Sequence, residues 1–244
     1  MNRTILCALM AVMWLVGCGD GGSLPTNPGG QTPSDPELPG TPAQPSDNPT
    51  PEGPLSLWPL TTGSSWTYRI TDPLKGIFDK EVKVLGPQGV PGTDMTATLV
   101  RSLQPHLEER SWQIALQNGV VVRLREEDMK AGGLARVTTW SPATVKSLAQ
   151  AQQEGWSYTS TIREVTRLDD GTVEEKNRTY VWRVLAVNET VTVPAGTFTN
   201  AIKVQRDRPD KAGKERVYWL VPGVGKVRED GERLEELVSH DVKK

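Results

Sequence analysis

Two β-prone runs, Trp156-Ser-Tyr-Thr-Ser-Thr-Ile162 and Thr179-Tyr-Val-Trp-Arg-Val-Leu185, flank the dipeptide Asp170-Gly171. β-Branched and aromatic residues favour strands. Asp-Gly is a strong hairpin signal, because a type I′ turn needs positive φ at both central residues. A two-residue turn at this point would set Leu168 opposite Val173, so that apolar partners share one face. The stretch therefore predicts an antiparallel hairpin with a type I′ turn.

Similar signals recur along the chain. Asn118-Gly119 and Asp230-Gly231 also lie between extended, β-prone runs. The other candidate strands are Ser65–Ile70, Phe78–Leu85, Thr93–Ser102, Ser111–Gln117, Val120–Glu126, Ala135–Trp140, Val191–Val193, Asn200–Arg206 and Glu215–Val221. Short strands in series, joined by tight turns, predict a mainly β domain built as a curved antiparallel sheet that curls or closes.

One short helix is expected to interrupt this sheet, over about residues 142–154. Ser141 can cap its start, Pro142 suits its first turn and Gly155 can end it. Three apolar residues at helical spacing would pack on the sheet, namely Val145, Leu148 and Ala149. With this helix the fold class becomes α+β, still dominated by strands.

The beginning of the chain has the composition of a secretory signal peptide. Arg3 precedes an apolar run from Ile5 to Val16, which is shorter than the ~20 residues that a membrane-spanning helix needs. The run ends in Leu15-Val16-Gly17-Cys18, which resembles the lipobox of bacterial lipoproteins. That resemblance implies cleavage after residue 17 and a diacylglycerol group on the Cys18 sulfur, with further acylation of the new amino terminus. The implied location is a membrane of the cell envelope.

Residues 18–54 follow as the lipidated cysteine and a tether. Ten prolines fall between Pro25 and Pro54, and the only large apolar residues are Leu24 and Leu38. Such a segment cannot bury enough apolar surface to offset the entropy lost on ordering. We therefore expect a disordered spacer with polyproline II character, followed by one β-rich domain over residues 55–244.

Composition excludes several classes of function. Cys7 lies in the predicted signal peptide and Cys18 would carry lipid, so the mature chain has no thiol for a disulfide, a metal ligand or a nucleophile. Residues 55–244 contain 27 Lys and Arg against 25 Asp and Glu, a balance that gives no electrostatic case for binding nucleic acid. We expect no cofactor and no metal.

Catalytic motifs are also missing. Gly223-Val-Gly225-Lys226-Val227 lacks the glycine and the hydroxyl residue of a phosphate-binding loop and is interpreted as a turn. His106 and His240 are the only imidazoles, and there is no Gly-x-Ser-x-Gly elbow. Acidic clusters such as 126–128 and 169–170 are interpreted as solvated charges in turns. The sequence thus predicts that the protein is not an enzyme.

Three further motifs carry a resemblance that spans most of the domain. They are Trp58-Pro-Leu-Thr-Thr-Gly63-Ser-Ser-Trp66-Thr-Tyr68, Thr192-Val-Pro194-Ala-Gly196-Thr-Phe198 and Tyr218-Trp-Leu-Val-Pro222-Gly-Val-Gly225-Lys-Val227. In this order they resemble the signatures of a broad set of uncharacterised bacterial envelope proteins. The resemblance implies a curved antiparallel sheet, similar to the half-barrel of the lipoprotein carriers LolA and LolB, which hold acyl chains in an apolar concavity.

Seven Trp remain in the mature chain, and they leave the function open. One interpretation is aromatic packing in a small β domain. The other is an apolar or stacking groove, whose candidate residues are Trp66, Tyr68, Trp112, Tyr158 and Trp182. We therefore expect a non-enzymatic, membrane-anchored lipoprotein that binds an apolar ligand, such as an acyl chain, or another envelope protein. A structural or adhesive protein with a filled core and a glycan-binding module are the alternatives. Gly19 rather than Asp follows the cysteine, which favours the outer membrane.

Overall fold

Twelve antiparallel strands, each paired with its neighbours along the chain, form the fold. A computed structural model describes residues 56–148 and 153–244, all of which belong to one compact unit. The strands are β1 (Ser65–Asp72), β2 (Gly76–Gly89), β3 (Thr96–Gln104), β4 (Leu107–Ala115), β5 (Val121–Lys130), β6 (Gly133–Ser147), β7 (Ser157–Leu168), β8 (Val173–Val193), β9 (Gly196–Asp207), β10 (Arg216–Val221), β11 (Gly225–Asp230) and β12 (Leu234–Asp241).

The mainly β prediction is confirmed, and the half-barrel is corrected to a closed barrel. β1 pairs with β2 on one side and with β12 on the other, so the meander closes on itself. Closure removes the two edge strands that an open sheet would leave with unpaired backbone groups. The residues that close the barrel, such as Arg69 and Glu236, are more than 160 positions apart in the sequence. No local pattern reports a pairing over that separation.

Alternation along the strands follows from the pleat. In β1, Trp66, Tyr68 and Ile70 are buried, whereas Arg69 and Thr71 are exposed. Successive side chains of a strand point to opposite faces, so one set faces the barrel interior and the other faces outward. In the closed barrel, residues that alternate in the sequence therefore place their side chains alternately in the interior and on the exterior.

The barrel has two distinct ends. Odd-to-even connections such as β1–β2 and β5–β6 lie at one end, which we call the far end. Even-to-odd connections such as β2–β3 and β10–β11 lie at the other, together with residues 56–64; we call this the entry end. Any segment that precedes residue 56 joins the barrel at the entry end.

Residues 56–64 pack into the entry end. Ser56 O accepts a hydrogen bond of 2.9 Å from Gly223 N, in the β10–β11 turn. Leu57 is buried, and Trp58 Nε1 donates to Gln113 Oε1 at 2.9 Å. A Cβ on Gly225 would lie 3.2 Å from Cδ of the Pro59 ring, and the φ of +96° also disfavours other residues at this position. The first and third motifs of the family resemblance thus meet here as structural contacts.

Three apolar clusters fill the barrel and cover its outside. The first contains Trp66, Tyr68, Ile70, Val84, Val100, Val191, Val193, Ala201, Trp219, Val221, Val227 and Leu237. The second contains Leu57, Val145, Leu148, Trp182, Val184, Ile202, Val204, Tyr218 and Leu220. The third contains Val90, Ala97, Leu99, Trp112, Ile114 and Val122.

The predicted helix over residues 142–154 is wrong. Residues up to Ser147 belong to β6, where Thr144 pairs with Arg123 and Val145 with Val122. Val145 and Leu148 are buried as expected, but from an extended backbone that β-branched residues favour. Pairing with β5 satisfies the backbone groups that a helix would have satisfied locally, and it overrides the capping signals.

Helices are in fact missing from the part of the chain that the structure describes. No described segment therefore forms a helix that is long and apolar enough to span a membrane. The predicted signal peptide, the Cys18 lipid site and the tether over residues 18–54 lie outside the described residues. Ala149, which the helix prediction included, also lies outside them.

The hairpins predicted at Asp170-Gly171, Asn118-Gly119 and Asp230-Gly231 are all present. The type I′ turn predicted at Asp170-Gly171 is wrong. Only Gly171 has positive φ, at +85°, and Leu168 N bonds Thr172 O at 2.9 Å. This is a three-residue loop with a glycine bulge rather than type I′. The register consequently shifts by one residue: Val173 pairs with Arg167, not Leu168, and remains 54% exposed.

Candidate functional site

The predicted groove residues Trp66 and Tyr68 lie together on the inner face of β1, where both indole and phenol bond to backbone. Trp66 Nε1 donates to Val224 O at 2.7 Å, and the Tyr68 hydroxyl donates to Lys226 O at 2.9 Å. Burial raises the pKa of Tyr68 above its usual value. These two hydrogen bonds link β1 to the β10–β11 turn and to β11.

The other three candidates are divided between two sites. Tyr158 and Trp182 are direct cross-strand partners in the second cluster, and the Trp182 ring stacks on Tyr218 at 5.9 Å between centroids. Trp112 belongs to the third cluster and follows Ser111, which shares a face with the inward Glu126. Because successive residues alternate, Trp112 faces the opposite side of the sheet. The five residues therefore do not line one groove.

An apolar cavity does lie beside Trp66 and Tyr68, but it is small. Its volume is about 40 Å³, and it is bounded by Trp58, Leu60 and Val84 as well. An apolar cavity of ~150 Å³ holds one benzene molecule, and ligand pockets measure ~300–1,000 Å³. An acyl chain does not fit in this space.

Much of the remaining interior near Tyr68 is charged. Lys226 Nζ lies 2.6 Å from Glu235 Oε2 and also bonds Glu229, while Lys80 bonds Glu235 from the opposite side of β1. All four of these charged side chains are buried. Two arginines complete the network: Arg216 contacts Glu229 and Arg233 contacts Glu235. Buried charges of this kind are tolerated only when they are paired and hydrogen-bonded.

Pairing decides the ionisation of this network. Burial alone would raise the pKa of Glu229, but Lys226 and Arg216 outweigh it and lower the pKa to about 2. The pKa of Glu235 is likewise held well below its usual value, against burial, by Lys226 and Lys80. Burial would lower the pKa of Lys226, and the two carboxylates raise it instead. All of these groups are charged at neutral pH.

A second charged group occupies β4 and β5. Glu126, Glu127 and Asp128 are buried within β5, so their interpretation as solvated turn residues is wrong. Glu126 and Asp128 share the inner face with Glu109 of β4, whereas Glu127 points outward to Arg125. Because side chains alternate along a strand, consecutive acidic residues point to opposite faces of the sheet. A run of acidic residues in the sequence does not show this separation.

Lys146 is a further residue that the sequence did not single out. Its Nζ lies 5.1 Å from the centre of the Trp58 ring, at the entry end. Burial, assisted by the positive charge of Arg123, lowers the pKa of Lys146 well below its usual value. The Lys146 amine thus packs against Trp58 and links residues 56–64 to β6.

The far end carries a different surface. Exposed aliphatic side chains occur on four hairpins that follow one another around the barrel, and they are Leu74, Ile77, Leu103, Leu134 and Val173. We call these five residues the far rim. Leu74 is 92% exposed and Ile77 is 71% exposed. A separate open pocket of about 450 Å³ lies among the same hairpins, bordered by Asp128, Leu134 and Asp169.

The two imidazoles are far from each other. His106 lies in the β3–β4 turn at the far end, and His240 pairs with Trp66 near the entry end. Both are exposed. Neither contributes to the buried charged groups described above, so no general base is brought to a cavity by these residues.

The sequence carried one signal for the buried charges. Lys80 continues the alternation of Phe78 and Val82, and Glu235 that of Leu237, so each charge occupies an inward position of an apolar pattern. Their mutual contacts, by contrast, depend on β1 lying between β2 and β12, which only closure provides.

No protein-family model matches the chain, and a search of curated proteins finds no match. Among solved structures, a Bacteroides fragilis protein provisionally described as exported, with a YmcC-like fold, shares 13% identity at a TM-score of 0.43. That similarity covers 77% of this chain and 99% of the other. A provisional lipoprotein from Parabacteroides distasonis shares 12% identity at a TM-score of 0.39, over 78% of this chain and 100% of the other.

Proposed function

We propose that the protein is a non-enzymatic lipoprotein of the cell envelope, anchored through Cys18, whose filled barrel docks a second envelope protein at the far rim. The anchor rests on the lipobox Leu15-Val16-Gly17-Cys18, and Gly19 favours the outer membrane. Two or more acyl chains give stable attachment, whereas one binds only marginally. Catalysis is not part of the proposal, because the two histidines lie away from the buried charged groups.

The far rim is the observation that carries the docking proposal. Its side chains project from hairpins at the end opposite to residue 56, where the chain enters the barrel. A tether fixed at the entry end would leave the far end directed away from the anchor. Exposed apolar residues gathered on one surface mark interaction sites, whereas single scattered ones need no explanation.

A protein partner suits this surface better than the other ligands considered. An acyl ligand needs a larger apolar space than the cavity of about 40 Å³ beside Trp66. Stacking on sugars needs exposed aromatic rings, and the exposed large apolar residues of the described chain are aliphatic. A structural or adhesive role with a filled core differs from the proposal only in its partner, which would be a second copy or an external surface.

Site-specific photocrosslinking in intact cells tests the proposal. A photoreactive amino acid is placed at Ile77 or Leu134 of the far rim, and at exposed Ser239 near the entry end as the matched control. We expect both rim positions to yield the same heterologous adduct and Ser239 to yield none. Cys18→Ser should remain an unprocessed precursor without acyl label and should lose the adduct.

Three outcomes would change the conclusion. An adduct that forms equally at Ser239 would remove the rim as the docking surface. An adduct containing two copies of this chain would favour the structural or adhesive role. Acyl label that persists on Cys18→Ser would end the lipoprotein proposal, since the mature chain has no other thiol.

A further inference from the structure

Three carboxylates converge on the inner face of β4 and β5, toward the far end. Glu109 is the cross-strand partner of Asp128, and Glu126 lies two residues earlier on the same face. One oxygen from each carboxylate lies within 4.8 Å of the other two. Like charges this close repel, so the cluster needs positive charge to remain ionised.

Two arginines supply part of that charge. Arg123 bonds Glu126 and lies 3.8 Å from Glu109, while Arg136 Nη2 lies 2.7 Å from Asp128 Oδ2 and 3.6 Å from Glu126. Three carboxylates against two guanidinium groups leave one negative charge in excess. The arginines alone do not neutralise the cluster.

One oxygen of the cluster has no partner. Asp128 is 5% exposed, and its Oδ1 atom is buried without a hydrogen bond from any described residue. Leaving a buried carboxylate oxygen unbonded is costly, so such an oxygen is a place for a bound ion or an ordered water.

The cluster is accessible from solvent. Asp128 and Arg136 border the open pocket of about 450 Å³ at the far end, with Lys130 at its edge. The Arg136 side chain is 44% exposed, so its long stem can turn outward without crossing the core. If Arg136 leaves, the cluster has two negative charges in excess, which equals the charge of one divalent cation.

From this geometry we propose that Glu109, Glu126 and Asp128 bind a calcium ion, with the Arg136 guanidinium occupying the position in its absence. Calcium takes oxygen ligands at ~2.3–2.6 Å, so oxygens on opposite sides of the ion lie up to ~5 Å apart, whereas magnesium spans only ~4 Å. The three oxygens lie within 4.8 Å of one another and so fit inside the calcium coordination sphere, whose flexible geometry tolerates an irregular set of carboxylates. The site is independent of the docking function proposed above.

Titration of the full mature protein, solubilised in detergent, with calcium and with terbium tests this site. We expect calcium to bind in the ~10⁻⁴–10⁻³ M class of extracellular modules, to raise the melting temperature, and to be competed by terbium. Trp140 lies 4.4 Å from the Arg123 guanidinium and would sensitise terbium emission. Magnesium should give no shift at the same concentrations.

Three variants separate a cation site from general electrostatics. Asp128→Asn should abolish the calcium response. Arg136→Gln should strengthen calcium binding roughly tenfold, because a charge-assisted hydrogen bond no longer competes. Glu127→Gln is the matched control, since Glu127 is adjacent in sequence but faces outward to Arg125, and it should bind as the unaltered protein does.

Several results would overturn the site. The first is the absence of any calcium or terbium response up to 10 mM calcium, which is about tenfold above the weakest expected class. The second is a response that Asp128→Asn leaves unaffected. The third is a response that is lost equally in Glu127→Gln. Arg136→Gln keeps the test informative if Asp128→Asn does not fold. Weaker calcium binding in Arg136→Gln would also contradict the proposed competition.

Discussion

Glu229 shows at the scale of one residue how the barrel stabilises charge in its interior. Its carboxylate bonds Lys226 and Arg216, and its pKa in the folded protein is about 2, compared with 4.5 for the free group. Folding therefore favours the ionised form. The resulting stabilisation is complete above about pH 4.5 and disappears as the pH falls toward 2.

We expect Glu229→Gln to lower the free energy of unfolding by about 3 kcal/mol at pH 7, because each pKa unit corresponds to ~1.4 kcal/mol and both the buried Lys226 and the partly exposed Arg216 lose a partner. The difference between the variant and the unaltered protein should narrow as the pH falls below about 4.5. Urea unfolding at a series of pH values measures both effects.

Glu175→Gln serves as the control for this experiment. Glu175 is exposed and forms a surface ion pair with Arg163 at 2.6 Å. Solvent screens such a pair, so the substitution should change stability little at any pH. A deficit of Glu229→Gln that stays constant from pH 7 to pH 3 would show that the loss arises from packing and not from ionisation.

At the scale of elements, residues 56–64 contribute more than a connection. Leu57 is buried, Trp58 bonds Gln113 and contacts Lys146, and Gly225 has no side chain where Pro59 lies. The segment has no regular structure, so hydrophobic periodicity does not reveal its packing, although residues 58–63 belong to the first motif of the resemblance. Its packing follows from the open end that a barrel leaves between strands.

Truncation distinguishes this segment from the predicted tether. A chain that begins at Leu55 should unfold cooperatively with the same urea midpoint as the protein lacking only its anchor. A chain that begins at Thr61 should be several kcal/mol less stable, because burying a large apolar side chain contributes ~1.5–3 kcal/mol. Equal midpoints for the two chains would show that residues 55–60 are dispensable, and a loss in both would place the boundary before Leu55.

The strands themselves were predicted with uneven success. Three Gly-containing dipeptides correctly indicated hairpins, since turn chemistry is local. The register of β7 and β8 was wrong by one residue because Asp-Gly also fits a three-residue loop with a bulge at Gly171. Capping residues predict a helix from Pro142. They carry no information on the pairing with β5 that makes this segment a strand.

For the whole molecule, the decisive property is whether the interior is open. Apolar side chains and paired charges occupy the space around Tyr68, and the adjoining apolar cavity is about 40 Å³. A titration with fatty acids of increasing length, followed by Trp fluorescence, should therefore show no graded response. In an acyl groove each methylene would add ~0.8 kcal/mol and raise the affinity about fourfold. A graded rise of that size would contradict a filled interior.

The features that could be predicted from the amino-acid sequence depend on residues close together in the chain. The period of two in β1 and the turn dipeptides predict an antiparallel β protein, and residues 55–244 contain no cysteine. The lipobox and tether predictions, which fall on residues 1–54, rest on the same kind of local pattern.

Three features follow from tertiary contacts: the sheet closes, Lys80 and Lys226 meet across β1 on Glu235, and three carboxylates converge beside Arg136. Each of these depends on which strands are neighbours. Strands pair through backbone hydrogen bonds, which do not depend on the identity of the side chains. The amino-acid sequence therefore contains no motif that names the partner of a strand. Once the barrel is closed, the alternation along each strand sets which side chains face the interior. Charged side chains are tolerated there because oppositely charged residues from distant strands pair with them.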